Sequence, residues 1–454
     1  MQQQEKKAVI TILGKVNDEQ DKATYYFKEN KEEILKYHNM FALLIEKYQN
    51  SEYEIVPIYT KKARETNENM LKDSNLSFGN WDERFFIKDF NDINQVFAII
   101  NEAVKSYDKL IIDVSHGFRH LPMLMIVDLI IENFEDTSKI EKILFTRVII
   151  ELKEYEIIDL KDYLDIANIM FVVSSFKHNF TTSNIEVSSK YSGFINSLRE
   201  VSNDLLSLNI NHLTKQDGQG SADKLLKNIQ KLQEELEKET QNKEHFLINP
   251  LKDLAEFVKG LINFEGKKYY QTYFELSEMF YKRDYLINSI ALLCESARYF
   301  IKTQLKRECP ELKDKIEQVE NRLGTYETLR FFSGLSRIAT NRDNGNYIPN
   351  HRDQSQYWRK FNWVAIDKDK SDVIKNTFQN RDSQNSDDYN ALQRKCMATN
   401  GTLSKVSMLS DEIDDLRNKL VHINPNNDFD EIKRQINEKI ERYKEIIDED
   451  TPTN

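Results

Sequence analysis

Arg417, Asn418 and His422 stand near the carboxyl end in the run RNKLVH, inside DDLRNKLVHINPN (414–426). A guanidinium, an amide and an imidazole at this spacing suit phosphate chemistry. Set on a helix at ~100° per residue, Ile413, Leu416, Leu420 and Ile423 form one apolar stripe that faces a core. Asn418 and His422, at i and i+4, share the opposite face, and Arg417 lies at the stripe's edge. Asn424 precedes Pro425 and is biased away from helix, so His422 falls in the last turn. The helix dipole there favours an imidazolium, which suits a proton donor or acceptor near neutral pH. Arg417 and His422 are five residues apart, hence ~140° round the helix and ~7.5 Å along it. One copy makes a poor closed site. Two copies about a two-fold axis would face each other across a composite cleft. The arginines would stabilise charge on a phosphorane, while the histidines and asparagines position or move protons. A plain exposed helix end is the alternative, and R-x4-H alone does not separate the two.

A second constellation lies in IIDVSHGFRHLP (111–122), with Asp113, Ser115, His116, Gly117 and Arg119 at the carboxyl end of a buried-strand pattern. The next helix starts near Pro122, a residue well tolerated in a first turn. Ligands of open α/β sheets gather at such strand ends, and the N–H groups of a following helix attract anions. Gly117 would let a ligand approach the backbone closely. Gly14 and Lys15, after the first strand, belong to the same rim. Ser115 lacks the first glycine of a G-x-S-x-G elbow, and neither a Walker lysine motif nor G-x-G-x-x-G is present. His, Cys and Asp residues nowhere show metal-ligand spacing, so no metal or cofactor is expected.

The elements that must position these residues change character along the chain. KAVITIL (7–13), YEIVPIY (53–59), RFFIKDF (84–90), KLIIDVS (109–115) and KILFTRVIIEL (142–152) read as strands. Residues 21–48, 93–107 and 121–134 read as helices. The alternation predicts a doubly wound, Rossmann-like α/β domain over 1–180, with a mostly parallel sheet covered on both faces. Strands then largely stop. A helical linker or insertion spans 181–249 and includes the very polar helix 228–245. An all-α domain follows over 250–454, with a polar, irregular insertion at about 340–390. With only 12 Gly and 7 Pro in 454 residues, long regular elements are favoured. A net charge of -11 argues against a broad nucleic-acid coat but leaves room for a local basic groove. Three scattered cysteines suit a reducing cytoplasm. No apolar run approaches the ~20 residues of a membrane span.

Taken together, the two constellations resemble a known family. DVSHGFRHLP resembles the DxTHG motif of CRISPR-associated CARF proteins, with serine for threonine. RNKLVH resembles the R-x4-6-H motif of HEPN ribonucleases, including the polar residue directly after the arginine. The order, α/β first and helices last, is also similar to that of the DxTHG CARF–HEPN family of type III CRISPR ancillary ribonucleases. The resemblance covers about 1–180 and 250–454. It implies an N-terminal CARF sensor that binds cyclic oligoadenylate, and a HEPN domain that cuts single-stranded RNA without a metal, leaving a 2′,3′-cyclic phosphate. Arg417, Asn418 and His422 match the catalytic motif. Asp113, Ser115, His116 and Gly117 match the sensor motif, with Gly14, Lys15 and Arg119 as further ligand-binding candidates. A homodimer or higher oligomer is expected, with cyclic tetra-adenylate as activator or cyclic hexa-adenylate as the alternative. Glu295 could lie near the HEPN cleft or form a surface ion pair. Lys177 and His178 could contact a phosphate. Tyr347, Tyr357, Trp358 and Trp363 could stack bases or pack the insertion. Two other classes stay open: a nucleotide-sensing module without ribonuclease activity, and a HEPN ribonuclease without a ligand.

Overall fold

The computed structural model describes residues 5–450 apart from 17–21, 29, 116–119, 137, 151–152, 186, 215–218, 240–244, 264–266, 311–312, 341–400 and 422–427. The chain divides into two compact units, Met1–Val258 and Lys259–Asn454. The first is α/β with a helical extension and the second is helical among the described residues.

The strands of the first unit are β1 (Lys7–Ile12), β2 (Ala23–Phe27), β3 (Asn30–Tyr37), β4 (Tyr53–Ile58), β5 (Lys109–Asp113), β6 (Ile140–Ile150) and β7 (Glu154–Asp159). They form one sheet in the order β3-β2-β7-β6-β5-β1-β4. β4, β1, β5 and β6 are parallel. β7 returns antiparallel to β6, β2 runs parallel to β7, and β3 closes the edge antiparallel to β2. Helices α1 (Met40–Tyr48), α2 (Lys61–Asp73), α3 (Ile93–Lys105) and α4 (His120–Glu135) accompany the sheet. β1 shows why both faces need covering. Alternate strand residues point to opposite faces, and nearly all of β1 is apolar. Ala8, Ile10 and Ile12 pack with Val96, Ile100 and Met125 of α3 and α4, while Val9 packs with Met40 and Leu43 of α1.

Three local readings of the sequence give way to tertiary structure. Residues 21–48 hold the β2–β3 hairpin followed by α1, not one long helix. KENKEEILKY is rich in helix formers, but the aromatic and β-branched run ATYYF finds an open strand edge in β7, pairing Thr24 with Glu154 and Phe27 with Ile157. The stretch 84–90 is not a strand. It is a short 3-10 turn, Glu83–Phe85, capped by Asp82, with a single bridge from Phe86 to Tyr59. β7 itself was not foreseen. Its sequence EYEIID is half charged, and Glu156 is nonetheless buried, within reach of Arg147 and Lys31.

The first unit continues through α5 (Lys161–Asn179), α6 (Ser189–Leu206), α7 (Ile210–Leu213), α8 (Ser221–Glu239) and α9 (Ile248–Leu261), the last of which runs past the unit's end. α8 is polar in composition yet not solvated all round. Leu225, Ile229, Leu232 and Leu236 repeat at helical spacing and are buried. Phe176, Phe180 and Phe257 meet as an aromatic trio.

The second unit comprises α10 (Tyr269–Tyr281), α11 (Leu286–Glu308), α12 (Lys313–Leu323), α13 (Thr325–Thr340), α14 (Thr402–Val421) and α15 (Phe429–Asp450). Its core gathers Phe300 and Ile301 of α11, Leu409 and Ile413 of α14, and Ile440 and Tyr443 of α15. Tyr443 is fully buried, and its hydroxyl lies 2.9 Å from Ser296 Oγ, which donates to the Tyr270 carbonyl at 2.6 Å. The expected insertion at 340–390 lies outside the described residues, apart from Thr340. Phe300 stacks edge-on against both Tyr270 and Tyr443. Phe300→Ala is therefore expected to cost about 3–5 kcal/mol. Chemical denaturation followed by tyrosine fluorescence would show this as an earlier transition.

Candidate functional sites

In the first unit, the end of β5 is built from within. Asp113 is fully buried. Its Oδ2 accepts from Thr11 Oγ1 at 2.7 Å, tying β5 to β1, and its Oδ1 accepts from the Ser115 N–H at 3.0 Å. Ser115 Oγ in turn accepts from the Thr146 N–H of β6 at 3.0 Å. Both residues thus tie the end of β5 to its neighbours β1 and β6. His116, Gly117 and Arg119 lie outside the described residues. The loop after β1 is pinned by α2. Asn67, buried in that helix, donates to the Gly14 carbonyl at 3.0 Å and to Ala63 O at 2.7 Å, while its Oδ1 accepts from Asn39. Thr66 Oγ1 accepts from the Val16 N–H at 3.2 Å. Lys15 is left exposed on the loop so fixed.

Thr11, Asn39 and Asn67 were not singled out in the sequence. Asn39 carried a readable signal, since it precedes MFALLIEKY and its Oδ1 caps α1 by accepting from the Ala42 N–H. Asn67 carried a weaker one, as an asparagine inside a helix often bonds to backbone instead of water. Thr11 carried none. Of the other expected contacts, His178 Nδ1 lies 2.8 Å from the Ser174 carbonyl of its own helix turn.

In the second unit, α14 carries Arg417 and Asn418. Ile413 and Leu416 are in the core and Leu420 packs against it, as the helical stripe requires. Asp414 is on the same helix and buried. Arg298 of α11 donates to both its oxygens, at 3.1 and 3.4 Å. Arg417 Nη1 lies 3.3 Å from Asp414 Oδ1, and Arg417 Nη2 donates to Asn418 Oδ1 at 3.1 Å. Arg298 Nη1 donates to Glu295 Oε1 at 2.7 Å. Glu295, Arg298, Asp414 and Arg417 thus alternate in charge. The ion pair expected of Glu295 is present, with Arg298 as its partner.

Burial disfavours the charged Arg298, but the carboxylates of Asp414 and Glu295 outweigh it and hold the guanidinium above its usual range. Cys294 sits beside this cluster. Its burial, and then the Asp414 charge, push the thiol up, which disfavours the thiolate. Arg417 is different. Its side chain keeps 29% of its exposure, and its guanidinium has more donors than Asp414 and Asn418 occupy. Those donors are suited to a phosphate. His422 lies outside the described residues. Arg298 and Asp414 were missed in the sequence, where each is an ordinary charge on a helix. Only the fold brings them together across 116 residues.

Comparison with known proteins gives matches of two kinds. A family model described as protein-tyrosine phosphatase matches residues 1–171. That span contains none of the three cysteines, which closes a covalent thiol–phosphate route within it. Among solved structures, Enterococcus italicus Csm6 bound to cyclic hexa-2′-fluoro-hexa-dAMP is similar over 97% of this chain and 93% of that one. The identity is 15% and the TM-score 0.31. No curated protein matches the sequence.

Asp414→Ala would leave Arg298 buried without its main partner. It is expected to destabilise the protein by about 3–5 kcal/mol, whereas the double change Asp414→Leu with Arg298→Met should recover most of that. Urea unfolding of the single and double variants checks this.

Proposed function

We propose that the protein is a cyclic-oligoadenylate-activated, metal-independent endoribonuclease acting on single-stranded RNA. The observation that carries the reading is the setting of Arg417. A buried carboxylate, itself held by a second arginine, orients this guanidinium beside Asn418 on a helix whose sequence continues to His422. A guanidinium fixed in advance stabilises charge that develops on a phosphorane without reorganising during reaction. Asn418 and His422 supply an amide and an imidazole four residues apart in the sequence. In the chemistry proposed, a ribose 2′-hydroxyl attacks the adjacent phosphorus. The proton leaves to a base, the 5′-oxygen departs and takes up a proton, and a 2′,3′-cyclic phosphate remains.

The N-terminal unit is the sensor in this reading. The turn after β5 and the loop carrying Gly14 and Lys15 supply backbone N–H groups and a cation for the phosphates of a cyclic ligand. Cyclic tetra-adenylate is the first choice, with four phosphates shared between two subunits, and cyclic hexa-adenylate the second. The two-fold assembly this requires has a surface to form on. On α4, Met123, Ile126, Val127, Ile130 and Ile131 repeat at helical spacing and are 37–67% exposed. An apolar stripe of that regularity is unusual on a lone subunit. It lies on the helix that follows the DVSHG turn, so covering it with a second copy would bring two such turns to one ligand.

The deciding experiment is digestion of labelled single-stranded RNA with and without cyclic tri-, tetra- and hexa-adenylate. Cleavage only with a cyclic oligoadenylate supports the reading. Binding without cleavage would make the chain a sensing module, and cleavage without ligand a constitutive nuclease. His422→Ala is expected to lower the cleavage rate by ~10²–10⁴-fold while ligand affinity is unchanged, and a chelator should have no effect. Rate and affinity measured on the same preparations check both. Ile126→Glu with Ile130→Glu is expected to convert a dimer to monomer in light scattering and to abolish ligand-dependent cleavage.

A further inference from the structure

Three tyrosines beside the arginine cluster have a geometry that differs from the rest of their unit. Tyr269 and Tyr299 stack at 5.2 Å between ring centroids with planes 25° apart, and Tyr273 and Tyr299 at 5.4 Å and 18°. The core aromatics of the same unit meet edge to face instead: Tyr270–Phe300 at 62°, Phe274–Tyr443 at 65° and Phe331–Phe332 at 82°. Edge-to-face contact fills a core. Tyr273 and Tyr299 are partly buried and back the outer ring, and an aromatic face left open to solvent is what a base of single-stranded nucleic acid stacks on. Tyr269 is 60% exposed at the start of α10, so much of its ring is open to solvent.

The stack is tied to the arginine cluster by position. Glu295 and Tyr299 are at i and i+4 on α11, one above the other on the same face. Glu295 is close enough to Tyr273 and Tyr299 for its charge to raise both phenols, after the larger effect of their burial. From Glu295 the contacts run at 2.7 Å to Arg298, 3.1 Å to Asp414 and 3.3 Å to Arg417. Cations border the rings as well. The Lys302 ammonium lies 5.6 Å from the Tyr299 centroid, and Lys268 is exposed next to Tyr269.

We propose that the Tyr269–Tyr299–Tyr273 stack is a base-binding platform, on which an unpaired base flanking the scissile phosphate stacks against Tyr269 while the phosphate meets Arg417. The inference rests on the ribonuclease reading and adds to it a place for the substrate. Stacking of this kind accepts any base, so the platform strengthens binding of single-stranded RNA without reading its sequence. Double-stranded RNA, whose bases are already stacked, gains nothing from it.

The test uses the full chain carrying Tyr269→Ala or Tyr269→Phe, each made in the active protein and in the His422→Ala protein. Cleavage of a single-stranded RNA is measured with saturating cyclic tetra-adenylate or cyclic hexa-adenylate. Binding to the His422→Ala forms is measured by anisotropy of a labelled oligoribonucleotide and by quenching of 2-aminopurine placed within it. The expected result is a rise of about tenfold in both KM and Kd for Tyr269→Ala, with kcat within about twofold and loss of the quenching. Tyr269→Phe should restore all three, because the ring and not the hydroxyl stacks. An abasic oligomer should bind both forms alike. If the parent protein cleaves and Tyr269→Ala leaves KM and Kd unchanged, or if Tyr269→Phe fails as Tyr269→Ala does, the platform is refuted. If Tyr269→Ala changes the oligomeric state while RNA affinity is kept, the stack joins copies of the chain and the proposal falls. A parent protein that never cleaves would refute the ribonuclease reading alone, and the binding arm would still decide the platform.

Discussion

A buried carboxylate between two guanidinium groups sets the geometry of the helical unit's polar site. Asp414 lies in the interface of α11 and α14, where a lone charge would be severely destabilising. Arg298 and Arg417 offset that from two directions, and Glu295 balances Arg298 on its far side. The result is a cluster with no net charge whose members cannot move independently. Arg417 inherits a defined orientation, although it sits on the solvent side of its helix where a long side chain would otherwise wander. Such pairs are poor sources of stability, but they are effective at specifying geometry.

The α/β unit uses the same principle with uncharged groups. Asp113 is spent on Thr11 and on the N–H of Ser115, and Ser115 on the N–H of Thr146. Three neighbouring strands, β1, β5 and β6, are thereby locked at the end where their loops emerge. Asn67 does the equivalent for the loop after β1, using both donors and its acceptor. Asp113 and Ser115 of the DVSHG run are thus both engaged in holding the backbone at this strand end.

The two units also differ in how apolar surface is distributed. The face of α4 carries five large aliphatic side chains that are substantially exposed, and the end of β6 adds Val148, Ile149 and Ile150. Among its described residues the helical unit exposes Tyr269 and Tyr326 together with Ile287, Met408 and Val421, and buries Tyr270 and Tyr443. Aliphatic stripes suit permanent burial against protein. Tyrosines, with a polar edge and a flat apolar face, tolerate water until something stacks on them.

By itself the sequence made much of the parallel half of the sheet legible, because KAVITIL, YEIVPIY and KLIIDVS each carry a short apolar, β-branched run suited to a strand covered on both faces. It also determined the register of Ile413, Leu416 and Leu420 toward a core, since a helix fixes which residues share a face. The candidate chemistry was legible for the same reason: Arg417 and Asn418 are neighbours in sequence. Tertiary structure alone decided that 23–37 is a hairpin, because the reward for ATYYF is an edge offered by β7, far along the chain. It alone decided that Arg298 and Asp414 belong together, and that Tyr299 stacks on Tyr269 and Tyr273. Local sequence reports propensity and periodicity. Pairings between distant residues depend on where whole elements pack, and that is settled only when the entire core forms.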